Sequence, residues 1–134
     1  MTSKLKQPVF ILCFSFMAVF ARADESVDYY VTVISEQDRQ DSLGNRLTKF
    51  EQVIRQDRAN FHKYGMTDEG DEEDDLFSSA TSRANLESYL KKGSTPDAVK
   101  KQILSGRELY VAVSIWKKAD GVIYAKVGLY GNTQ

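Results

Sequence analysis

The chain of 134 residues contains one cysteine, two prolines and one histidine, and these scarcities limit what it can do. Cys13, the only cysteine, lies in an apolar N-terminal run. A chain cleaved behind that run has no thiol for a disulfide, a thiolate metal site or a cysteine nucleophile. An Asn-x-Ser/Thr sequon is also absent. Such a domain depends on its core alone, which is feasible at roughly 100 residues.

An excess of charge of one sign is also lacking, since 18 basic and 19 acidic residues leave a net charge of −1. A basic excess, which would indicate nucleic-acid binding, is absent. An acidic excess, which would indicate disorder, is absent as well. Glycine-rich loops with Walker or Rossmann spacing do not occur, and neither does a Gly-x-Ser-x-Gly nucleophile elbow. The sequence therefore predicts no cofactor, no metal site and no nucleic-acid partner.

The first 23 residues have the pattern of a secretory signal peptide. Two lysines precede an apolar run from Pro8 to Phe20, and Ala21-Arg22-Ala23 places small residues at the −3 and −1 positions of a cleavage site. The run is shorter than the ~20 apolar residues that cross a bilayer, which favours cleavage over an uncleaved membrane anchor. We expect a removed signal at 1–23 and one periplasmic domain at 24–134, without membrane contact after cleavage.

Hydrophobic periodicity in the mature chain predicts one strand followed by three helices. Residues 29–34 are β-branched and aromatic, which is typical of a strand. An apolar stripe then predicts a helix over about residues 45–64; its members are Leu43, Leu47, Phe50, Ile54 and Phe61. A second helix is expected to begin near Ser79 or Thr81 and to end at Gly93. A third is expected from a Thr95 N-cap to Gly106.

Two strand-like segments, residues 108–117 and 122–130, close the chain as a predicted hairpin. A two-residue loop would place Ile115 opposite Lys126. A three-residue loop with a left-handed Gly121 places Ile115 opposite Ala125, which gives one clean apolar face, so we prefer this register. The predicted fold class is α+β: a three-stranded antiparallel sheet, formed by the N-terminal strand and the hairpin, packs on about three helices in the order β-α-α-α-β-β.

The preferred register gathers large aromatic residues on the other face of the hairpin: Tyr110, Trp116, Tyr124 and Tyr130. Aromatic side chains give rigid contact area and dominate many interface hot spots. They also stabilise sheets through cross-strand pairs, which is the structural alternative. We predict a partner-binding face here.

An eight-residue segment carries seven carboxylates: Asp68, Glu69, Asp71, Glu72, Glu73, Asp74 and Asp75. Mutual repulsion makes it a solvated loop by default, with docking to a basic protein and a non-standard calcium site as alternatives. An EF-hand loop is excluded because its sixth position holds Glu73 instead of glycine. Residues 24–134 carry a net charge of −4 because of this loop.

His62 is the only histidine, and it lies near the predicted C-terminus of the first helix. It could serve as a general base, but its interaction with the helix dipole is the simpler explanation. On the same helix, Asp57 and Arg58, with Asn60, are expected on a solvated or ion-paired face.

Together these patterns favour a small exported non-enzymatic binding or inhibitory protein that engages a basic protein partner. Two alternatives remain open at this point. One is a small hydrolase that uses His62 with carboxylates, and the other is an envelope structural protein that forms a homodimer through the hairpin edge.

Overall fold

The computed structural model describes residue 18 and residues 20–131. Most of the predicted signal segment, including Cys13, lies outside the described residues. The element order is β1 (Glu25–Ile34), α1 (Phe50–His62), α2 (Ala80–Lys92), α3 (Asp97–Ile103), β2 (Leu109–Lys117) and β3 (Ile123–Leu129). A 3-10 turn at Gln37–Arg39 follows β1. Within the described part, no helix combines the length and the apolar character needed to span a membrane.

The three strands form one antiparallel sheet in the order β1-β2-β3, so β2 is central. The hairpin has the predicted register, with Ile115 opposite Ala125 and Val113 opposite Val127. Gly121 adopts a φ of 89°, and its N–H donates to the Lys118 carbonyl oxygen at 2.9 Å. This register confirms the predicted three-residue loop, which aligns the apolar residues of the two strands on one face.

The helices pack on one face of the sheet and enclose a single core. Its sheet members alternate along the strands: Tyr30, Ile34, Val111, Val113, Ile115, Ala125 and Val127. Its helical members include Phe50, Val53, Ile54, Leu86, Leu90, Val99 and Ile103. The predicted α+β architecture and the element order are confirmed.

The second helix agrees with its prediction, and the third differs at its start. The Ser79 hydroxyl accepts the Ser82 N–H at 3.1 Å as the N-cap of α2, and Gly93 follows its last residue. Thr95 does not cap α3. Its hydroxyl instead accepts the Val127 N–H at 3.1 Å, because that donor points out of the free edge of β3 and needs a partner.

The first helix begins at Phe50, five residues later than predicted. Leu43 is 85% exposed, and it belongs to a loop closed by a bridge between Gln40 and Arg46. The Arg46 guanidinium holds this loop, since it donates to the Glu36 carboxylate at 2.6 Å and to the Leu104 carbonyl oxygen at 3.0 Å. The spacing of the apolar residues alone predicted helix in this segment, but contacts with residues distant in sequence fix it as a loop.

Gly93 is where the end of α2 meets the backbone of β3. A Cβ at this position would lie 1.7 Å from the Ala125 carbonyl oxygen. We expect Gly93→Ala to lower the free energy of unfolding by about 3 kcal/mol or more, because backbone must move to accept the methyl group. Denaturant unfolding measures this loss. Gly128→Ala is the control, since nothing lies within 4 Å of its added Cβ; equal losses in both variants would refute the packing argument.

Candidate functional site

The sheet face opposite the helices carries most of the predicted aromatic site. Tyr110 is 43% exposed and Tyr130 is 51% exposed, while Trp116 is half-buried. Tyr124 is only 8% exposed. The three more accessible rings surround a centre of small residues on β2 and β3, namely Ala112, Ser114 and Gly128. The face is therefore open and nearly flat at its middle.

Tyr124 lies on this face but is already engaged within the chain. Its hydroxyl donates to Asp24 Oδ2 at 2.6 Å. The ammonium groups of Lys118 and Lys126 lie 5.6 Å and 5.5 Å from the centroid of its ring. This residue supports the end of the sheet and offers a partner little surface.

Tyr29 belongs to the open face although the sequence analysis did not select it. It lies opposite Ser114 and is 53% exposed. Its strand has no alternation of polar and apolar residues, so periodicity could not assign faces. Pairing with β2 does assign them, and Tyr30 points into the core.

Residues 68–75, the acidic strap, run along the free edge of β1. The Glu72 N–H donates to the Val31 carbonyl oxygen at 2.8 Å, and Glu72 Oε2 accepts the Val31 N–H at 2.8 Å. Asp71 Oδ1 accepts the Val33 N–H at 2.9 Å. The strap thus satisfies the outward backbone groups of an edge strand, largely with side-chain carboxylates.

The expectation of a solvated acidic loop is wrong for Asp74, and two further carboxylates of the loop are engaged by the sheet. Asp71 and Glu72 bind the β1 edge, and Asp74 is buried at 6% exposure. Glu69, Glu72, Glu73 and Asp75 are exposed, and Asp68 and Asp71 are half-buried. The strap also reaches the aromatic face, because a Cβ on Gly70 would lie 2.9 Å from a ring carbon of Tyr110.

Arg58 is the centre of a buried cluster that connects α1, β1 and the strap. Its guanidinium donates to Asp57 Oδ2 at 2.8 Å, to Asp74 Oδ2 at 2.9 Å and to Thr32 Oγ1 at 2.9 Å. The Tyr30 and Phe61 rings lie 4.3 Å and 4.7 Å from its central carbon. Of the two alternatives expected for Asp57 and Arg58, a solvated or an ion-paired face, the structure shows the ion pair, and it lies inside the protein at 2% and 0% exposure.

Asn60, which was expected with them on a solvated or ion-paired face, is also buried. It is 1% exposed, and its amide nitrogen donates to Asp38 Oδ1 at 2.8 Å. Burial raises the pKa of Asp38, although hydrogen bonds from Ser35 and Asn60 oppose that rise. The buried side of α1 is therefore strongly polar at the level of the 3-10 turn.

The Thr32 hydroxyl contacts two carboxylates, Asp57 Oδ1 at 2.8 Å and Asp71 Oδ1 at 2.9 Å. A hydroxyl has one hydrogen and already accepts from Arg58, so both contacts are hydrogen bonds only when one carboxyl is protonated. Burial raises the pKa of Asp57 to about 7, with Arg58 opposing the rise. Below about pH 7 the extra proton therefore resides on Asp57.

His62 contacts the same cluster from the end of α1. Its Nε2 lies 2.7 Å from Asp74 Oδ2, and its side chain is 12% exposed. Burial alone would raise the pKa of Asp74, but hydrogen bonds from His62, Arg58 and the Phe77 N–H lower it below its ordinary value. His62 lines none of the main cavities of the described chain, so this geometry holds the strap and offers no substrate cleft.

Metal binding by the strap finds no geometric support. Within the described residues, no three side chains of His, Cys, Asp or Glu are arranged to hold an ion. Two of the strap's carboxylates point in different directions, since Asp71 accepts from β1 and Asp74 accepts from Arg58.

We expect the proton on Asp57 to make stability depend on pH. The ordinary pKa of an aspartate, 3.8, applies to the unfolded chain, whereas the pKa of Asp57 is about 7 in the folded protein. The folded state therefore binds the proton more tightly. The resulting stabilisation is complete below pH 3.8 and is lost as the pH rises to about 7. At about 1.4 kcal/mol per pKa unit, the loss is on the order of 4 kcal/mol.

Asp57→Asn keeps the shape of the side chain and has no proton to lose. Its free energy of unfolding should therefore fall less than that of the wild type between about pH 4 and about pH 8. Denaturant unfolding across this range measures both profiles. Asp75→Asn, an exposed change in the strap, should follow the wild type; a parallel profile for Asp57→Asn would contradict the assignment of the proton.

The strap should also protect the edge of β1 from exchange with solvent. Asp71→Ala removes a charged acceptor from the Val33 N–H, a loss of roughly 1–3 kcal/mol. We expect hydrogen exchange at Val31 and Val33 to become about tenfold to a hundredfold faster. Glu73→Ala is the control, because that neighbouring side chain is exposed. Unchanged protection in Asp71→Ala would show that the strap does not seal the edge.

Comparison with known proteins leaves the function to be inferred from these side chains. The open aromatic face, the acidic strap and the buried Arg58 cluster are the features on which that inference depends. No protein-family model, no curated protein and no solved structure matches the chain.

Proposed function

We propose that the protein is a non-enzymatic binding protein that engages a basic protein partner through the open aromatic face and its acidic border. One observation carries the proposal. Three tyrosines on a single sheet face, Tyr29, Tyr110 and Tyr130, are each more than two-fifths exposed. The helices bury the other face. On this one the strap packs at the β1 side, where Gly70 lies against Val33 and Tyr110, and the three tyrosines remain in solvent.

The geometry of the face suits a protein partner. A tyrosine ring gives a large contact at a small entropic cost, and its hydroxyl can pair with polar groups at the rim of an interface. Ala112 and Gly128, which are opposite each other at the centre, allow a partner's side chains to approach the sheet backbone closely. A flat centre ringed by aromatic residues is a shape that another protein surface can cover.

The charge beside this face favours a basic partner. Glu69, Glu73 and Asp75 remain exposed on the strap, which contacts Tyr110 through Gly70. Residues 24–134 carry a net charge of −4, so the field around them attracts cations at long range. Such a field raises the association rate and selects a partner of opposite charge.

Export to the periplasm is part of the same proposal. β1 begins at Glu25, two residues after the predicted cleavage site, so removal of residues 1–23 would leave every strand and helix of the described residues intact. A cysteine-free domain stabilised by a buried ionic cluster needs no disulfide machinery after export.

Neither alternative function gains comparable support. Catalysis at His62 would need a cavity beside the ring, and the main cavities lie elsewhere. A homodimer through the hairpin edge would need free backbone groups on β3, but Thr95 already accepts the Val127 N–H.

The proposal is tested by affinity capture from an envelope extract with the mature chain as bait. We expect a basic protein to be retained at low salt and released at ~1 M salt, where the Debye length is only about 3 Å. The double variant Tyr110→Ala/Tyr130→Ala should no longer retain this protein at low salt. Tyr64→Ala is the matched control, because Tyr64 is equally exposed at 43% but follows α1.

Two outcomes would contradict the proposal. Retention of the same partner by the double variant would exclude the open aromatic face as the interface. Retention that is insensitive to salt would exclude attraction by the strap. Circular dichroism of each variant establishes that a loss of capture does not result from unfolding.

A further inference from the structure

A cavity of the described chain lies on the α1 side, away from the tyrosines of the sheet. Its volume is about 340 Å³, and side chains from the 3-10 turn, α1 and the segment after α1 line it. We call it the amide cavity because four carboxamides dominate its lining: Gln37, Gln40, Gln56 and Asn60. A pocket of this size suits a small molecule or one or two rings of a larger one.

The amide cavity carries one charged group and no cation. Asp41 is its only charged lining residue, and both of its carboxylate oxygens are occupied. Oδ1 accepts the N–H groups of Leu43 and Asn45, and Oδ2 accepts the Asn45 side-chain amide at 3.1 Å. A phosphate or a carboxylate would find no positive charge here, and the Asp41 carboxylate is already bound by N–H groups of its own loop, so the lining favours a neutral ligand over an anion.

Buried contacts fix the orientation of one lining amide. Asp38 Oδ1 accepts from Asn60 Nδ2 at 2.8 Å, so the Asn60 oxygen points away from that carboxylate. This oxygen accepts from Gln56 Nε2 at 2.9 Å. The arrangement leaves the Gln56 carbonyl oxygen and its second amide hydrogen free for a ligand. Because Asp38 and Asn60 are buried, this presentation is preorganised.

Two further amides have unused hydrogen-bonding capacity. Within the described residues, the side chains of Gln37 and Gln40 make no hydrogen bond that meets ordinary geometry, although Gln40 is half-buried. The rim adds two apolar groups, since Tyr64 is 43% exposed and Met66 is 42% exposed. The cavity thus combines paired donors and acceptors with an exposed aromatic ring.

We propose that the amide cavity binds a neutral saccharide. Each sugar hydroxyl both donates and accepts, as each carboxamide does, so several such pairs can form without charge. The C–H face of a pyranose ring is apolar and can lie against the Tyr64 ring. A peptide would also pair with carboxamides, so trialanine serves as the comparison ligand in the experiment. The site goes beyond the proposed partner-binding face and uses none of its residues.

The experiment is a titration of the mature protein with maltose, cellobiose and N,N′-diacetylchitobiose, followed by amide NMR spectra. We expect at least one disaccharide to shift the signals of residues around the cavity, namely Gln40, Gly44, Gln56, Tyr64 and Met66. Gln56→Ala should weaken that binding about tenfold, as the loss of one or two hydrogen bonds predicts. Tyr64→Ala, an exposed change, should weaken it as well.

Gln52→Ala is the matched control, because Gln52 lies one turn earlier on α1 and lines a different cavity. It should bind as the wild type does. Absence of shifts with all three disaccharides would overturn the proposal, and so would shifts confined to other surfaces. Binding of trialanine without binding of any disaccharide would also overturn it. Tyr110→Ala/Tyr130→Ala should retain saccharide binding, so this test is separate from that of the partner face.

Discussion

Burial of the Arg58 guanidinium is the constraint on which the rest of the structure depends. A buried cation is tolerated only when its donors are paired, and loss of one partner of a buried pair costs on the order of 3–5 kcal/mol. Here the partners come from α1, from β1 and from the strap, as Asp57, Thr32 and Asp74. The strap therefore cannot take an arbitrary path. Because Asp74 must reach the Arg58 guanidinium, the strap lies against the edge of β1 and contacts Tyr110.

The two faces of the sheet have different physical roles as a result. The face under the helices holds the apolar core together with polar groups that are almost all satisfied within the fold. The opposite face keeps its large aromatic residues in solvent, next to the carboxylates that the Arg58 cluster does not use. Structural and surface charges thus lie in one eight-residue segment, and they are distinguished by whether they contact Arg58 or the edge of β1.

Local rules predicted the hairpin and α2, because alternation, Gly121 and the Ser79 cap act over a few residues. These rules failed where contacts with residues distant in sequence determine the local structure. The start of α1 depends on Arg46 reaching Glu36 and Leu104, and the role of Thr95 depends on a free N–H of β3. Nothing in a run of seven carboxylates marks Asp74 for burial, and an Asp-Arg pair on a helix is typical of a solvated surface. Three of the four predicted aromatic residues are at least partly accessible, whereas Tyr29 required knowledge of the strand pairing.

Occupation of both sheet edges determines how copies of this domain can meet. On one side carboxylates of the strap accept the outward N–H groups of β1, and on the other Gly93 and Thr95 lie against Ala125 and Val127. Strand-by-strand addition of further chains, which is the route to fibrils, has no free template along these stretches. Contacts between copies of this domain would therefore have to form through its faces, because sheet extension is blocked along these stretches of its edges.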